Sequence, residues 1–479
     1  MLRQLSRRGA GMYWYSLRKC LCTVPAQFRV HLAMAQTKTD RIFHALRERI
    51  EAGELAEGVK LMSIRQAAAH FDASKNIVVT AYDRLVAHGL AASRQGAGFY
   101  VTRRLAANAE PLNLQEASDN ISLLHAQLDR PYTVLVGDGR PPGAWLLTSA
   151  PAVTLTHEEV GYGAPHGLLA LRDCIAAGQI AAGIEVSPAQ IVTTFGANHA
   201  LDLVLRRFTR PGDTVLVDDP GYYPLFAKLT LAGVTFVGVP RTPRGPDPAA
   251  LAALADLHGA RLFFTQSLAQ NPTGCSIDLP TAHAILQVAA RRDMLIIDDD
   301  PFIDLPGVSG TRLAELDQFS RVIQIGTYSK ILSPSLRSGF IIASAEIADS
   351  LAELKMILVV NSSSYTERLI AQIIRSRRYE KVRTSLARRL ERERSNGISR
   401  LEQLGFSLFA PPSGGLYGWI RLAEGTNDLD VAHAAAGHGI FLAPGTLFRA
   451  AEDTSLPGLR VNWSRVNDSR FFSFLKGLR

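Results

Sequence analysis

From about residue 134 to the end, the chain repeats one pattern that restricts its fold more than any other feature. Short apolar runs at 191–193, 215–217, 262–264, 295–297, 322–324 and 340–342 alternate with longer segments of helical character. A strand that returns to its own sheet through a helix arrives parallel to its neighbour, so alternation of this kind implies an α/β domain with a largely parallel sheet. Sites in such domains are built from loops at the carboxyl ends of the strands. Residues 136–479 are therefore read as one α/β domain.

The region before it is patterned differently. In residues 40–104, Asp40 starts an amphipathic stretch with Ile42, Phe43, Leu46 and Ile50 at helical spacing, and Gly53 ends it. Ser63 is placed to cap a second helix through Phe71. Asp72, Ala73 and Ser74 form a short turn, and Ser74 can cap a third helix. That helix sets Ile77, Val78, Tyr82, Leu85 and Val86 on an apolar face, leaves Lys75, Asn76, Thr80 and Arg84 elsewhere, and closes at Gly89. Residues 91–101, with Gly96 and Gly98, read as a hairpin whose basic tip is Arg94-Gln95-Gly96. Helix, helix, short turn, helix, basic hairpin is the order of a winged helix-turn-helix, whose turn sets the third helix at the angle of the DNA major groove.

Charge follows the same division. The 479 residues carry a formal net charge of +8, and length alone implies two or three domains. Residues 1–39 contain Arg3, Arg7, Arg8, Arg18, Lys19, Arg29 and Lys38 and no acid, while 40–104 hold ten Lys/Arg against seven Asp/Glu. Positive charge gathered at one end points to a polyanion partner there. The acid-free start reads as a disordered extension or as a start placed too early, with Met34 the true first residue; a transit peptide is the alternative. Residues 105–135 lack strong periodicity and read as a linker. No apolar run reaches the roughly 18 residues of a membrane-spanning helix. Cys20, Cys22, Cys174 and Cys275 give neither a disulfide framework nor paired metal-ligand spacing, which fits a reducing cytoplasm and no metal.

Several motifs in the large domain carry chemistry. Lys330 lies in Gly326-Thr327-Tyr328-Ser329-Lys330, with Arg337 shortly after it. A lysine can form a Schiff base with a carbonyl cofactor, and neighbouring hydroxyls and an arginine can hold a phosphate. Gly196-Ala197-Asn198 follows a strand and opens a helix, where backbone N–H groups favour an anion. Asn271-Pro272-Thr273-Gly274 is a tight turn after another strand. Asp298-Asp299-Asp300 ends a third; three consecutive acids repel unless a cation or a protonated base compensates. Arg460, near the C-terminus, has the geometry to clamp a carboxylate.

Taken in order, these elements resemble the fold-type I aminotransferases over roughly residues 136–479. The first unit, with Ser63, Arg65, Ser74-Lys75-Asn76 and the Arg94–Gly98 wing, resembles the GntR-type winged helix. The tandem is similar to the MocR subgroup of bacterial transcription regulators. The resemblance implies an α/β/α large domain with a smaller C-terminal α+β part, and pyridoxal 5′-phosphate as cofactor. On it, Lys330 would form the internal aldimine, Asp299 would pair with the pyridine nitrogen, Asn271 would approach the phenolic oxygen and Tyr222 would stack on the ring. Gly196, Ala197, Asn198, Thr327 and Arg337 would hold the phosphate, and Arg460 a substrate carboxylate. Tyr162 resembles the tyrosine that reaches the neighbouring subunit's cofactor, which implies a homodimer. Ser63, Arg65, Ser74, Lys75, Asn76 and Arg94 would contact double-stranded DNA. Two departures stand out: Phe302 replaces a tyrosine that usually bonds the phenolic oxygen, and Asn198 stands where glutamine is common. The function expected is a DNA-binding regulator sensing an amino acid or amine through Lys330. The alternatives are a working aminotransferase with a DNA-binding appendage, and a cofactor-free regulator whose domain only dimerises.

Overall fold

The structure is a computed structural model that describes residues 38–51, 54–56, 58–87, 90–94, 98–102, 114–122, 132–147, 151–451 and 457–478. The basic extension with Met34, Cys20 and Cys22, the helix-ending Gly53 and Gly89, and the wing tip at 95–97 lie outside the described residues, as does most of the expected linker. The chain divides into two compact units, Met1–Glu110 and Pro111–Arg479.

The first unit contains α1 (Lys38–Glu51), α2 (Ile64–His70), α3 (Lys75–Ala87) and the antiparallel hairpin β1 (Ala91–Arg94) with β2 (Gly98–Val101). Ser63 starts α2 through a capping box with Gln66, each side chain serving the other's backbone N–H. Ser74 Oγ accepts the Ile77 N–H at 3.4 Å and so starts α3. Ile42, Phe43, Leu46, Val78, Tyr82 and Leu85 bury into one core. Ala81, not Val86, completes the inner face of α3. Positions 78, 81, 82 and 85 keep helical spacing, whereas Val86 falls a quarter-turn off and is exposed. Arg84 pairs with Asp40 at 2.7 Å and joins α3 to α1.

The second unit begins with α4 (Leu114–Asn120), within the stretch read as linker. It packs against a helix over Tyr223–Leu231 through the buried Ala117. An eight-stranded sheet follows: β3 (Ile191–Thr194), β4 (Thr214–Asp219), β5 (Thr235–Thr242), β6 (Gly245–Pro246), β7 (Leu262–Thr265), β8 (Leu295–Asp300), β9 (Val322–Thr327) and β10 (Gly339–Ile342), in the spatial order 3-10-9-8-7-4-5-6. Strands β9, β8, β7, β4 and β5 are mutually parallel, and β10 runs antiparallel to β3 and β9. The central strands are buried on both faces, which explains why they read as continuous rather than alternating apolar runs. The helices that shape the site are α5 (Leu169–Ala181), α6 (Ala197–Phe208), α7 (Tyr223–Leu231), α8 (Ala345–Val359), α9 (Ser364–Arg375) and the long α10 (Arg377–Gln403). A small antiparallel sheet of β11 (Tyr417–Arg421), β13 (Gly458–Asn462) and β12 (Ala443–Pro444), in that order, has its own core around Trp463, Leu459 and Phe471. Among the described residues no helix is long and apolar enough to cross a membrane.

Candidate cofactor site and DNA-facing residues

A cavity of about 230 Å³ opens at the carboxyl ends of β7, β8 and β9. It brings together Ala197, Asn198, Tyr222, Asn271, Asp299, Thr327, Lys330, Arg337 and Arg460. Gly196 stands at its edge beside Arg337. Tyr162 is not in its lining and is 89% exposed.

Lys330 is set by the turn that ends β9. The Tyr328 carbonyl accepts the Leu332 N–H at 2.9 Å and the Ser333 N–H at 3.3 Å, which folds the chain back around the lysine. Lys330 Nζ donates to the Gly139 carbonyl at 2.7 Å. Thr327 Oγ1 lies 3.0 Å from Ser329 Oγ and accepts the Ser329 N–H.

Strand alternation separates the three acids. Asp298 and Asp300 point to one face of β8 and Asp299 to the other. Asp300 pairs with Arg312 at 3.0 Å. Asp298 accepts the Ser267 N–H and hydroxyl at 2.9 and 2.7 Å, and burial, aided by Asp300, pushes its carboxyl up to about 7. Asp299 faces the cavity: Gln266 Nε2 donates to its Oδ2 at 2.7 Å, while its buried Oδ1 has no partner. Burial lifts Asp299 to about 6, with the Gln266 hydrogen bond and Lys330 pulling the other way. Among the described residues no group of His, Cys, Asp or Glu could hold a metal ion.

Gln266 itself is fixed from behind. Its Oε1 accepts the Asn271 N–H at 2.7 Å, and its carbonyl accepts Arg241 Nη2 at 3.0 Å. Arg241 forms a fully buried ion pair with Asp218 at 2.6 Å. The Asn271 turn is closed by Gly274 at φ +74°, where a side chain would strike the Tyr417 carbonyl at 2.1 Å. At the other end of the cavity, Gly196 adopts φ +81° to open α6, and Arg337 lies against it, donating to the Phe195 carbonyl at 3.1 Å. A helix start with free N–H groups beside a guanidinium suits a phosphate.

Arg460 is 2% exposed, donates to Asn271 Oδ1 at 3.2 Å and to the Gly137 carbonyl, and stacks over Tyr417 and Phe448. No carboxylate among the described residues pairs with it. A buried guanidinium without an anion is costly, and a ligand carboxylate would supply one.

Sequence reasoning missed Gly139, Arg140, Gln266 and Tyr417, all of which line the cavity. Tyr417 follows the glycine pair at 414 and 415, a turn signal that announces a strand but not its target. Gln266 carried no signal. Phe302 is buried edge-on against Tyr417, ring centres 5.8 Å apart. Tyr417, on β11, lines the cavity and donates its hydroxyl to the Gly139 carbonyl at 3.0 Å.

The fold and this cavity define the protein as an aminotransferase-type α/β domain preceded by a winged helix. Residues 132–471 match the family model for aminotransferase class I and II, and residues 38–101 match that for bacterial regulatory proteins of the gntR family. The chain belongs to the aminotransferase class I and II family and carries a GntR helix-turn-helix. It is 27% identical over 434 residues to the HTH-type transcriptional regulator YdfD of Bacillus subtilis, covering 86% of this chain and 90% of YdfD. It is 26% identical over 445 residues to the probable rhizopine catabolism regulatory protein MocR of Rhizobium meliloti, covering 84% and 85%. Among solved structures, the α-aminoadipate aminotransferase LysN of Thermus thermophilus, complexed with a phosphopyridoxyl-leucine, superposes with TM-score 0.64 at 24% identity over 76% of this chain and 97% of LysN. Pyridoxal 5′-phosphate is the cofactor of this domain. The residues present fit it: an amine, a buried carboxylate oxygen awaiting an N–H donor, and an anion cradle lie in one cavity.

In the first unit Ser63, Arg65, Ser74, Lys75, Asn76 and Arg94 are all exposed. Lys75 and Asn76 open α3, and Arg94 ends β1 with its guanidinium 4.6 Å from the Tyr100 ring centre. Ser63 Oγ is engaged with Gln66 and caps α2, as Ser74 caps α3.

Proposed function

We propose that the protein is a transcription regulator that binds an amino acid or amine in the Lys330 cavity and changes its hold on operator DNA as a result. The observation that carries this reading is Arg460, a buried guanidinium without an anion, beside a lysine-bearing cofactor cavity in a chain that also has a GntR helix-turn-helix. When bound, pyridoxal phosphate supplies an electrophilic carbon to which an amine can add. Lys330 would carry it, and Asp299 would hold its ring nitrogen protonated. Tyr222, whose hydroxyl burial and the nearby Asp299 keep protonated, would face the ring. Asn271 would orient the ring's oxygen, Gly196, Ala197, Asn198, Thr327 and Arg337 would bind the phosphate, and Arg460 would take the effector's carboxylate. Ser63, Arg65, Ser74, Lys75, Asn76 and Arg94 would meet DNA, Ser63 and Arg65 touching phosphates, the start of α3 reading bases and Arg94 touching the backbone or minor groove.

A homodimer in the cytoplasm completes the reading. Tyr162 is exposed, as are the large apolar side chains of Val160, Leu169, Ile357 and Tyr365, which a partner subunit would cover. Residues 40–104 and 136–479 are taken as the two working domains. The full-length protein should show a visible absorbance from the lysine-linked cofactor, lost in Lys330→Ala. Its operator footprint should change with an effective amino acid or amine from a panel. Robust turnover of that compound with no effect on DNA binding would favour the second reading, an aminotransferase, which the near-complete cavity also supports.

A further inference from the structure

The turn from β3 into α6 contains a hydrogen bond that supports the anion cradle. His199 Nδ1 accepts the Phe195 N–H at 3.1 Å, four residues back, with the two rings tilted against each other at 5.4 Å between centres. An accepting Nδ1 requires the neutral imidazole with its proton on Nε2. That Nε2 is buried and makes no hydrogen bond among the described residues. Burial, with Lys355 and Lys228 nearby and Asp202 opposing them, holds His199 below its ordinary value, so Nδ1 stays unprotonated at neutral pH. The ring's one hydrogen bond among the described residues is therefore the one to Phe195.

Phe195 is the last residue before the cradle. Its carbonyl accepts Arg337 Nη2 at 3.1 Å, so it is held on both sides, by His199 at its N–H and by Arg337 at its carbonyl. Gly196 follows at φ +81°, and its carbonyl accepts the Thr194 hydroxyl at 3.1 Å. The same carbonyl accepts the N–H groups of His199 and Ala200, the first bonds of α6. The N–H groups of Ala197 and Asn198 precede those bonds and suit an anion. The turn has little slack. A side chain on Gly196 would come within 3.1 Å of Arg337, and one on Gly339 of β10 would meet the Gly196 backbone at 2.9 Å.

We propose that His199 is a positioning residue for the phosphate of pyridoxal phosphate: by pinning the Phe195 amide it fixes Arg337 and the Ala197 and Asn198 N–H groups in one anion-binding arrangement before the cofactor arrives. The inference rests on the reading that Gly196, Ala197, Asn198 and Arg337 bind the phosphate. Without an acceptor, the Phe195 amide would turn toward another oxygen, and the cradle would have to be re-formed on binding, at a cost in affinity. That cost would fall on the phosphate and not on the ring, because Lys330, Asp299 and Tyr222 are carried by other elements.

Asparagine and leucine share one shape, and an asparagine Oδ1 takes the place of the histidine Nδ1. Both His199→Asn and His199→Leu lose the ring contact with Phe195, so the pair differs in the acceptor. Full-length apo-protein is titrated with pyridoxal 5′-phosphate and with pyridoxal, which lacks the phosphate, and the absorbance of lysine-linked ligand reports each affinity. The parent should prefer the phosphorylated form. His199→Leu should lose about fivefold or more of that preference, and His199→Asn should stay within about twofold of the parent. Pyridoxal should bind all three proteins alike. An undiminished preference in His199→Leu, an equal loss in both variants, or loss of pyridoxal binding in His199→Leu would overturn the proposal. A parent that binds the two ligands equally would instead remove the phosphate reading, and this inference with it.

Discussion

Gln266→Leu removes two buried hydrogen bonds at once, those to Asp299 Oδ2 and from the Asn271 N–H, both 2.7 Å long. A hydrogen bond to a charged group contributes about 1.5–3 kcal/mol, and a buried N–H left without an acceptor costs about 1–3 kcal/mol. The apo protein should lose on the order of 4 kcal/mol, which for a unit of this size lowers Tm by roughly 5 °C. The second consequence concerns charge. The Gln266 bond is the strongest influence holding Asp299 down against burial. Its loss should raise that carboxyl by about one pKa unit, from about 6. The ionised fraction would then fall roughly twofold at pH 7 and roughly fivefold at pH 6. On the proposed pairing of ionised Asp299 with the ring nitrogen, the ratio of parent to variant affinity for pyridoxal phosphate should widen as pH falls from 8 to 6. Thermal unfolding of the apo forms and absorbance titrations across that range measure both effects. An unchanged Tm, or an affinity ratio independent of pH, would refute the assigned role of Gln266.

The raised carboxyls also set a stability window. Between the ordinary value near 4 and about 7, native Asp298 and Asp299 keep protons that the unfolded chain has lost. Apo stability therefore falls as pH rises through that range. Asp298→Asn, which mimics the neutral acid, should flatten the dependence in denaturant melts. Arg460→Met should weaken the response to a carboxylate-bearing effector at least tenfold while leaving the cofactor absorbance in place, as ligand titrations of that absorbance would show. Arg65→Ala and Arg94→Ala should each weaken DNA binding similarly across sequences and reduce the slope of log K against log salt by about one, measured by fluorescence anisotropy.

The sheet was legible because its central strands are buried on both faces, and 262–264 and 322–324 leave no other reading. The residues at strand ends were legible too, since Lys330, Asp299 and Asn271 sit in short motifs whose chemistry is local. Gln266 and Tyr417 were not. Each reaches the cavity through packing between segments far apart in sequence, Tyr417 from β11 and Gln266 through Arg241 on β5. Val86 shows the limit at finer scale: counting apolar residues placed it inside, while the helical angle relative to α1 turned it out. The helix at Leu114–Asn120 was hidden for a different reason. Its seven residues are mostly polar, and it gains its place from packing on α7 rather than from periodicity.

The Gly139 carbonyl has a meaning beyond the cavity wall. It is held by two donors, Lys330 Nζ and the Tyr417 hydroxyl. Residues 137–140 are among the first of the large domain that the chain meets after the winged helix. The same strap is moored at the Gly137 carbonyl by Arg460 and at the Asp138 and Arg140 carbonyls by Asn462, so a lysine nitrogen committed to the proposed cofactor would release one tie among several. The other ties would keep the strap in place while the Gly139 carbonyl trades one of its two donors.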